Sequence, residues 1–139
     1  MKQSDILGLW NLVSWIQHRG PDDHLPMGET PTGCLIYTAD GQMSAQLMRR
    51  DRPEMTTGDF VTGSDEECAA AMRSYLAYCG TYEIHGDEVH HIVRMASYPN
   101  WTGQRQVRRV TFEDGRIVLS AAPRVVNGVS ITATLTWER

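Results

Sequence analysis

The sequence predicts an all-β protein, an eight-stranded antiparallel up-and-down barrel with one α-helix in the third-to-fourth strand connection. Short runs rich in β-branched, aromatic and aliphatic residues recur along the chain, and Gly/Asp turns separate many of them. The last run, residues 129–138, alternates apolar with polar side chains, which is typical of a strand with one buried face. The 139 residues are enough for one domain with its own core, so residues 1–139 are predicted to form a single domain.

The eight predicted strands follow one another as a meander. Asp-Gly or Gly-Asp turns, typical of hairpins, form the second, fourth and sixth connections. The other four connections are long, so all of them are expected at one open mouth, while residues 1–5 are predicted to be a polar lead-in. The predicted strands are 9–18, 33–38, 42–48, 81–85, 88–96, 104–112, 116–121 and 129–138.

The single helix is predicted to begin after Ser64. Ser64 followed three residues later by Glu67 matches a capping box, and the acidic first turn suits the helix dipole. Gly80 is expected to end the helix. Its apolar stripe would consist of Cys68, Met72, Tyr75, Leu76 and Cys79.

The two ends of the chain are predicted to meet and close the wall. Gly8-Leu9-Trp10 opens the first strand, and Trp137-Glu138-Arg139 ends the last one. Trp10 would plug the closed end, Trp137 would face inward, and the Arg139 guanidinium would stack on the indole of Trp10.

The register of the hairpins predicts which side chains face the interior. Pairing His85 with Glu88 places Tyr82 opposite His91, and pairing Phe112 with Ile117 sets the next hairpin. A polar patch inside an apolar cavity then consists of Tyr82, His91, Gln106 and Arg108. Met43 and Met95 are predicted on the cavity wall, and Asn100 and Trp101 at the mouth.

This patch admits two functions. In the first, Arg108 and Gln106 anchor the acidic oxygen of a small, mostly apolar metabolite, and the protein is a carrier. In the second, the protein is a cofactor-independent isomerase or cyclase acting on a polyketide-like enol or ketone, with His91 moving the proton, Tyr82 donating a hydrogen bond and Arg108 stabilising the oxyanion. The alternative is an internal network that merely fills the barrel.

Several classes of partner are predicted to be absent. A net charge of −4 argues against nucleic acid and anionic membranes. The five histidines form no metal-binding motif, and no Gly-rich phosphate loop indicates a cofactor. Three cysteines without a CxxC motif and the lack of a signal region favour the cytoplasm. Trp15 and Val13, predicted on the outer face, would form a homodimer patch or pack under the helix.

Taken together, the motifs resemble the lipocalin-like domain family, a cytosolic bacterial and fungal branch of the calycin barrels. The resemblance implies an eight-stranded barrel with an internal cavity for a small, mostly apolar molecule, and it implies no particular reaction. It covers residues 8–139 and rests on Gly8-Leu-Trp10, the segment 33–45, Tyr78-Cys-Gly80-Thr-Tyr82, His90-His91, Pro99-Asn-Trp101-Thr-Gly103 with Gln106 and Arg108, and Leu135-Thr-Trp137-Glu-Arg139.

Overall fold

A computed structural model describes all residues 1–139 as nine strands, two α-helices and one 3₁₀ turn. The helices are α1 (Gln3–Ile6) and α2 (Asp65–Arg73), and the 3₁₀ turn spans Pro99–Trp101. The strands are β1 (Gly8–Arg19), β2 (Asp22–His24), β3 (Thr32–Tyr37), β4 (Gln42–Met48), β5 (Tyr75–His85), β6 (Glu88–Ala96), β7 (Arg105–Glu113), β8 (Arg116–Val126) and β9 (Val129–Glu138).

Eight of the strands close into an antiparallel barrel, which confirms the predicted fold. From β3 to β9 each strand pairs with its neighbour in sequence, β1 pairs with β3, and β9 returns to pair with β1. The ninth strand, β2, has three residues and pairs only with the end of β1. The predicted pairs also form, with Tyr82 opposite His91 and Phe112 opposite Ile117.

The predicted helix is too long. The Ser64 hydroxyl caps α2 by accepting from the Glu67 amide at 3.2 Å, but the helix ends at Arg73 and β5 begins at Tyr75. Gly80 lies inside β5, next to a register shift, where a Cβ atom would meet the Ile92 carbonyl oxygen at 1.9 Å. The glycine is therefore required by close strand approach. Tyr75, Leu76 and Cys79 consequently belong to the barrel wall rather than to a helix.

Two other predicted elements differ from the structure. The seventh connection is not a long loop, because β8 continues to Val126 and turns at Asn127-Gly128, both with positive φ (49° and 77°), into β9. Only the first, third and fifth connections are long. The lead-in is not simply polar, since α1 carries the fully buried Ile6 into the core.

The chain ends meet at the closed end of the barrel. The Arg139 guanidinium lies 4.2 Å from the centroid of the Trp10 ring and donates a hydrogen bond to the Leu7 carbonyl at 3.0 Å. The Trp10 indole N–H donates to the Ile6 carbonyl at 2.8 Å. Trp137 is almost fully buried and belongs to the core. These contacts hold the N-terminal segment, residues 1–7, against the closed end of the barrel.

A β-bulge in β1 changes which side chains face inward. The pairing of β1 with β9 shifts between Leu12 and Ser14, so one extra residue enters the strand and the alternation of faces inverts beyond it. Trp15 therefore lines the interior, and the predicted outer patch of Trp15 with Val13 does not exist as a surface.

Candidate functional site

A cavity of about 560 Å³ opens between the buried core and the long connections. The core fills the closed end, where the buried residues Tyr37, Met43, Val89 and Ile117 lie close to the tight turns. The cavity is of a size that holds one small organic molecule. Its apolar wall includes Leu35, Leu47, Leu76, Leu119, Ile131 and Leu135, and aromatic rings come from Trp15, Tyr78, Tyr98, Trp101 and Trp137.

Arg108 brings a charge into this wall without a carboxylate partner. Its guanidinium donates to the Val107 carbonyl at 2.8 Å and to the Gln106 side-chain oxygen at 3.2 Å. No Asp or Glu lines the cavity, and Arg108 forms no salt bridge. A guanidinium has five N–H donors, so most of them are left without a protein acceptor.

Two further N–H donors near the cavity are also unpaired. The indole nitrogens of Trp15 and Trp137 are buried and have no hydrogen-bond partner. Both tryptophans line the cavity. Neither nitrogen has exposed surface, so neither is open to a molecule in the cavity, and these two unpaired donors are a feature of the packing around it.

His91 lies in the core and is not among the residues that line the cavity. It is fully buried, and its Nε2 is 2.7 Å from the Tyr37 hydroxyl while its Nδ1 is 2.9 Å from the Tyr78 hydroxyl. Burial, with smaller contributions from Arg108 and His90, lowers the pKa of His91 from 6.5 to about 3. Burial also raises the pKa of both tyrosines. All three groups are therefore neutral at physiological pH.

The structure brings only part of the predicted site together. Gln106, Arg108 and Trp101 line the cavity. Tyr82 does not, because its hydroxyl donates to the Thr38 carbonyl at 2.8 Å and accepts from the Gln3 amide at 3.0 Å.

The two methionines and the asparagine also lie elsewhere. Met43 is packed in the core. Met95 is 63% exposed on the outer face, because the register shift between Cys79 and Gly80 inverts the alternation of β6 at this point. Asn100 is exposed and donates to the Tyr98 hydroxyl at 3.0 Å.

The sequence analysis places at least three cavity residues elsewhere. Leu76 and Tyr78 lie within the predicted helix, and Trp15 lies on the predicted outer face. Gly80 is the sequence signal for a strand here, because a glycine permits close strand packing. The helical spacing of the apolar residues before it predicts a helix instead. No residue type in β1 predicts its bulge, so the sequence does not indicate that Trp15 faces inward.

Comparisons with known proteins agree with this architecture. A sequence profile described as a lipocalin-like domain matches residues 7–139. The chain belongs to this lipocalin-like domain family. A curated relative is the 4′-hydroxy-3′-methoxypropiophenone carrier protein of Aspergillus oryzae, which is 40% identical over 106 residues, covering 70% of this chain and 96% of the relative.

Two solved structures are also similar to this lipocalin-like domain. An uncharacterized protein from Bacteroides eggerthii is 16% identical with a TM-score of 0.45, covering 96% of this chain and 98% of its own. A variant of the fluorescent protein UnaG is 10% identical with a TM-score of 0.44, covering 99% and 98%. None of the helices here has the length and apolar character that crossing a membrane would require.

A potential metal-binding group lies on the outer face of this lipocalin-like domain, where no metal motif was predicted. Cross-strand pairing brings ligand atoms of Glu83, His85 and His90 within 4.8 Å of one another. The Arg105 guanidinium already lies among them, 2.9 Å from the Glu83 carboxylate and 3.0 Å from His90 Nδ1. Its positive charge opposes a second cation at this position.

Proposed function

We propose that this lipocalin-like domain is a carrier that binds a small, mostly apolar metabolite with an acidic oxygen inside the barrel. The observation that carries the proposal is the Arg108 guanidinium, which lies in an apolar cavity without a carboxylate partner. Arg108 is half-buried and has only neutral oxygen acceptors, so an oxygen anion or a strong acceptor on a ligand would form the charge-assisted hydrogen bonds that the protein does not supply.

The polar groups around Arg108 favour the same kind of ligand. The side-chain amide of Gln106 and the guanidinium of Arg108 supply N–H donors, and no carboxylate lines the cavity. The relative from A. oryzae is named for a ligand that combines an aromatic ring with phenol, methoxy and ketone oxygens, all of them acceptors. We extend this chemistry to the present chain and propose a planar phenolic aryl ketone as its ligand class.

The alternative of an isomerase or cyclase has no comparable support. The proposed proton carrier, His91, has both ring nitrogens bonded to tyrosine hydroxyls and does not line the cavity. We further propose that the carrier acts in the cytoplasm and without nucleic acid or membrane. Three free cysteines and a net charge of −4 support this placement.

The direct test is titration of the protein with 4′-hydroxy-3′-methoxypropiophenone, with binding measured by tryptophan fluorescence and by calorimetry. We expect saturable binding at one site, with a fluorescence change because three tryptophans line the cavity. Ala133→Trp fills the cavity and is expected to abolish binding, whereas Thr134→Trp, on the next residue of β9 and outside the cavity lining, is expected to preserve it. Absence of binding by the parent protein, or equal binding by both variants, would contradict the proposal.

A further inference from the structure

Three buried side chains form one hydrogen-bonded chain that ends at the cavity. Tyr37 and His91 are buried in the core and do not line the cavity, while Tyr78, the last member, is one of its lining residues. The contacts are Tyr37 hydroxyl to His91 Nε2 at 2.7 Å and His91 Nδ1 to Tyr78 hydroxyl at 2.9 Å. Because His91 is neutral, one of its nitrogens donates and the other accepts.

The two possible directions of this chain leave different hydroxyl protons without a protein acceptor. If Tyr78 donates to Nδ1, then Nε2–H donates to Tyr37, and the Tyr37 proton has no acceptor, since His91 is the only hydrogen-bond partner of that hydroxyl. If instead Tyr37 donates to Nε2, then Nδ1–H donates to Tyr78, and only the Tyr78 proton remains. Tyr78 is the only one of the three residues that lines the cavity, so its proton is the one that a ligand is able to accept. A buried donor without an acceptor bears the full desolvation cost, which selects the second direction.

We propose that the Tyr37–His91 pair holds the Tyr78 hydroxyl as a donor toward the cavity, so that the site binds a ligand through a carbonyl or phenolate oxygen. This inference rests on the proposed carrier function and adds Tyr78 to its binding residues. Tyr37 and His91 act as positioning residues, because they reach the ligand only through Tyr78.

The surroundings of Tyr78 favour a ligand that accepts hydrogen bonds. The positive charge of Arg108 lowers the pKa of Tyr78, opposing the larger effect of burial, and the same charge acts on Tyr37 and His91. Arg108 and Tyr78 both line the cavity, so one wall carries a residue with N–H donors and a residue with an O–H donor. A single ligand oxygen with two lone pairs is able to accept from both.

The first test reads the tautomer of His91 without any ligand. In ¹⁵N NMR spectra of the full-length protein labelled on histidine, we expect His91 Nδ1 to carry the proton and Nε2 to be unprotonated. Tyr37→Phe removes the donor to Nε2 and is expected to yield a mixture of both tautomers. A parent protein with the proton on Nε2 would overturn the assigned direction, whether or not any ligand binds.

The second test compares propiophenone with propylbenzene, which has the same apolar skeleton without the oxygen. Tyr78→Phe is expected to reduce the preference for the ketone roughly three- to tenfold, as expected for one neutral hydrogen bond, and to leave propylbenzene affinity unchanged. Tyr98→Phe, a second cavity-lining tyrosine whose hydroxyl faces Asn100, is the matched control and is expected to leave the preference intact. The preference of Tyr37→Phe for the ketone is expected to lie between that of the parent protein and that of Tyr78→Phe.

The outcomes separate the two proposals. If both compounds bind and the preference is the same in the parent protein and in Tyr78→Phe, the donor role of Tyr78 is wrong while the carrier function stands. If no aryl ketone binds the parent protein, the carrier function is wrong, and the ligand class inferred from Tyr78 is overturned with it.

Discussion

Replacing Arg108 with methionine is expected to weaken ligand binding without destabilising the ligand-free barrel. Methionine keeps most of the apolar stem and removes a guanidinium that has only two neutral oxygen acceptors. A hydrogen bond from a charged group contributes roughly 1.5–3 kcal/mol. At about 1.4 kcal/mol per factor of ten, affinity should fall by roughly 10- to 150-fold.

The stability of the free protein should not fall together with the affinity. Arg108 is half-buried and has no ion pair to lose, so its replacement by methionine should change the free energy of unfolding by no more than about 0.5 kcal/mol. A structural arginine would behave differently, because its removal would lower both stability and affinity. The two quantities together therefore distinguish an anchor for a ligand from a residue of the core.

The assay combines calorimetric titration with 4′-hydroxy-3′-methoxypropiophenone and urea denaturation without ligand. Arg109→Met is the matched control, since Arg109 is the next residue of β7 but lies outside, with its guanidinium 2.8 Å from the Asp87 carboxylate. It should leave affinity unchanged. The reasoning is refuted if Arg108→Met binds as tightly as the parent protein, or if its free energy of unfolding falls by more than about 1.5 kcal/mol, the scale of an ordinary lost hydrogen bond.

Three further predictions concern the barrel itself. Gly80→Ala should lower the free energy of unfolding by about 1–3 kcal/mol in urea, because the new Cβ would meet the Ile92 carbonyl oxygen at 1.9 Å; an unchanged midpoint would show that the strands separate freely there. Arg139→Met removes the stacking on Trp10 and a carbonyl hydrogen bond, and should cost about 1–3 kcal/mol by the same measurement. Stability should fall as the pH drops from 6.5 toward about 3, because the unfolded chain protonates His91 while the folded chain does not. Protonation of His91 in the unfolded chain should lower the free energy of unfolding by roughly 1.4 kcal/mol per pH unit. His91→Gln should remove this contribution to the pH dependence.

The register of the hairpins was predictable because short-range chemistry determines it. Gly-Asp and Asp-Gly turns set the pairing of β5 with β6 and of β7 with β8, and the period of two then assigns faces over the following residues. The assignment failed beyond each bulge. An extra residue before Ser14 turned Trp15 inward, and the shift at Gly80 turned Met95 outward. A bulge depends on how two strands fit, so neither strand alone reveals it.

The chain by itself determined the number of barrel strands, their order, the closure of the ends and the presence of an arginine among inward-facing residues. Only the tertiary structure decided which polar groups satisfy one another. Tyr82 and His91 are occupied by partners from distant elements, Thr38 in the first case and Tyr37 in the second, whereas Arg108 has no carboxylate and the indole of Trp15 no acceptor. Hydrogen-bond partners across a barrel come from strands far apart in sequence, so the sequence alone does not show which polar groups are left without one.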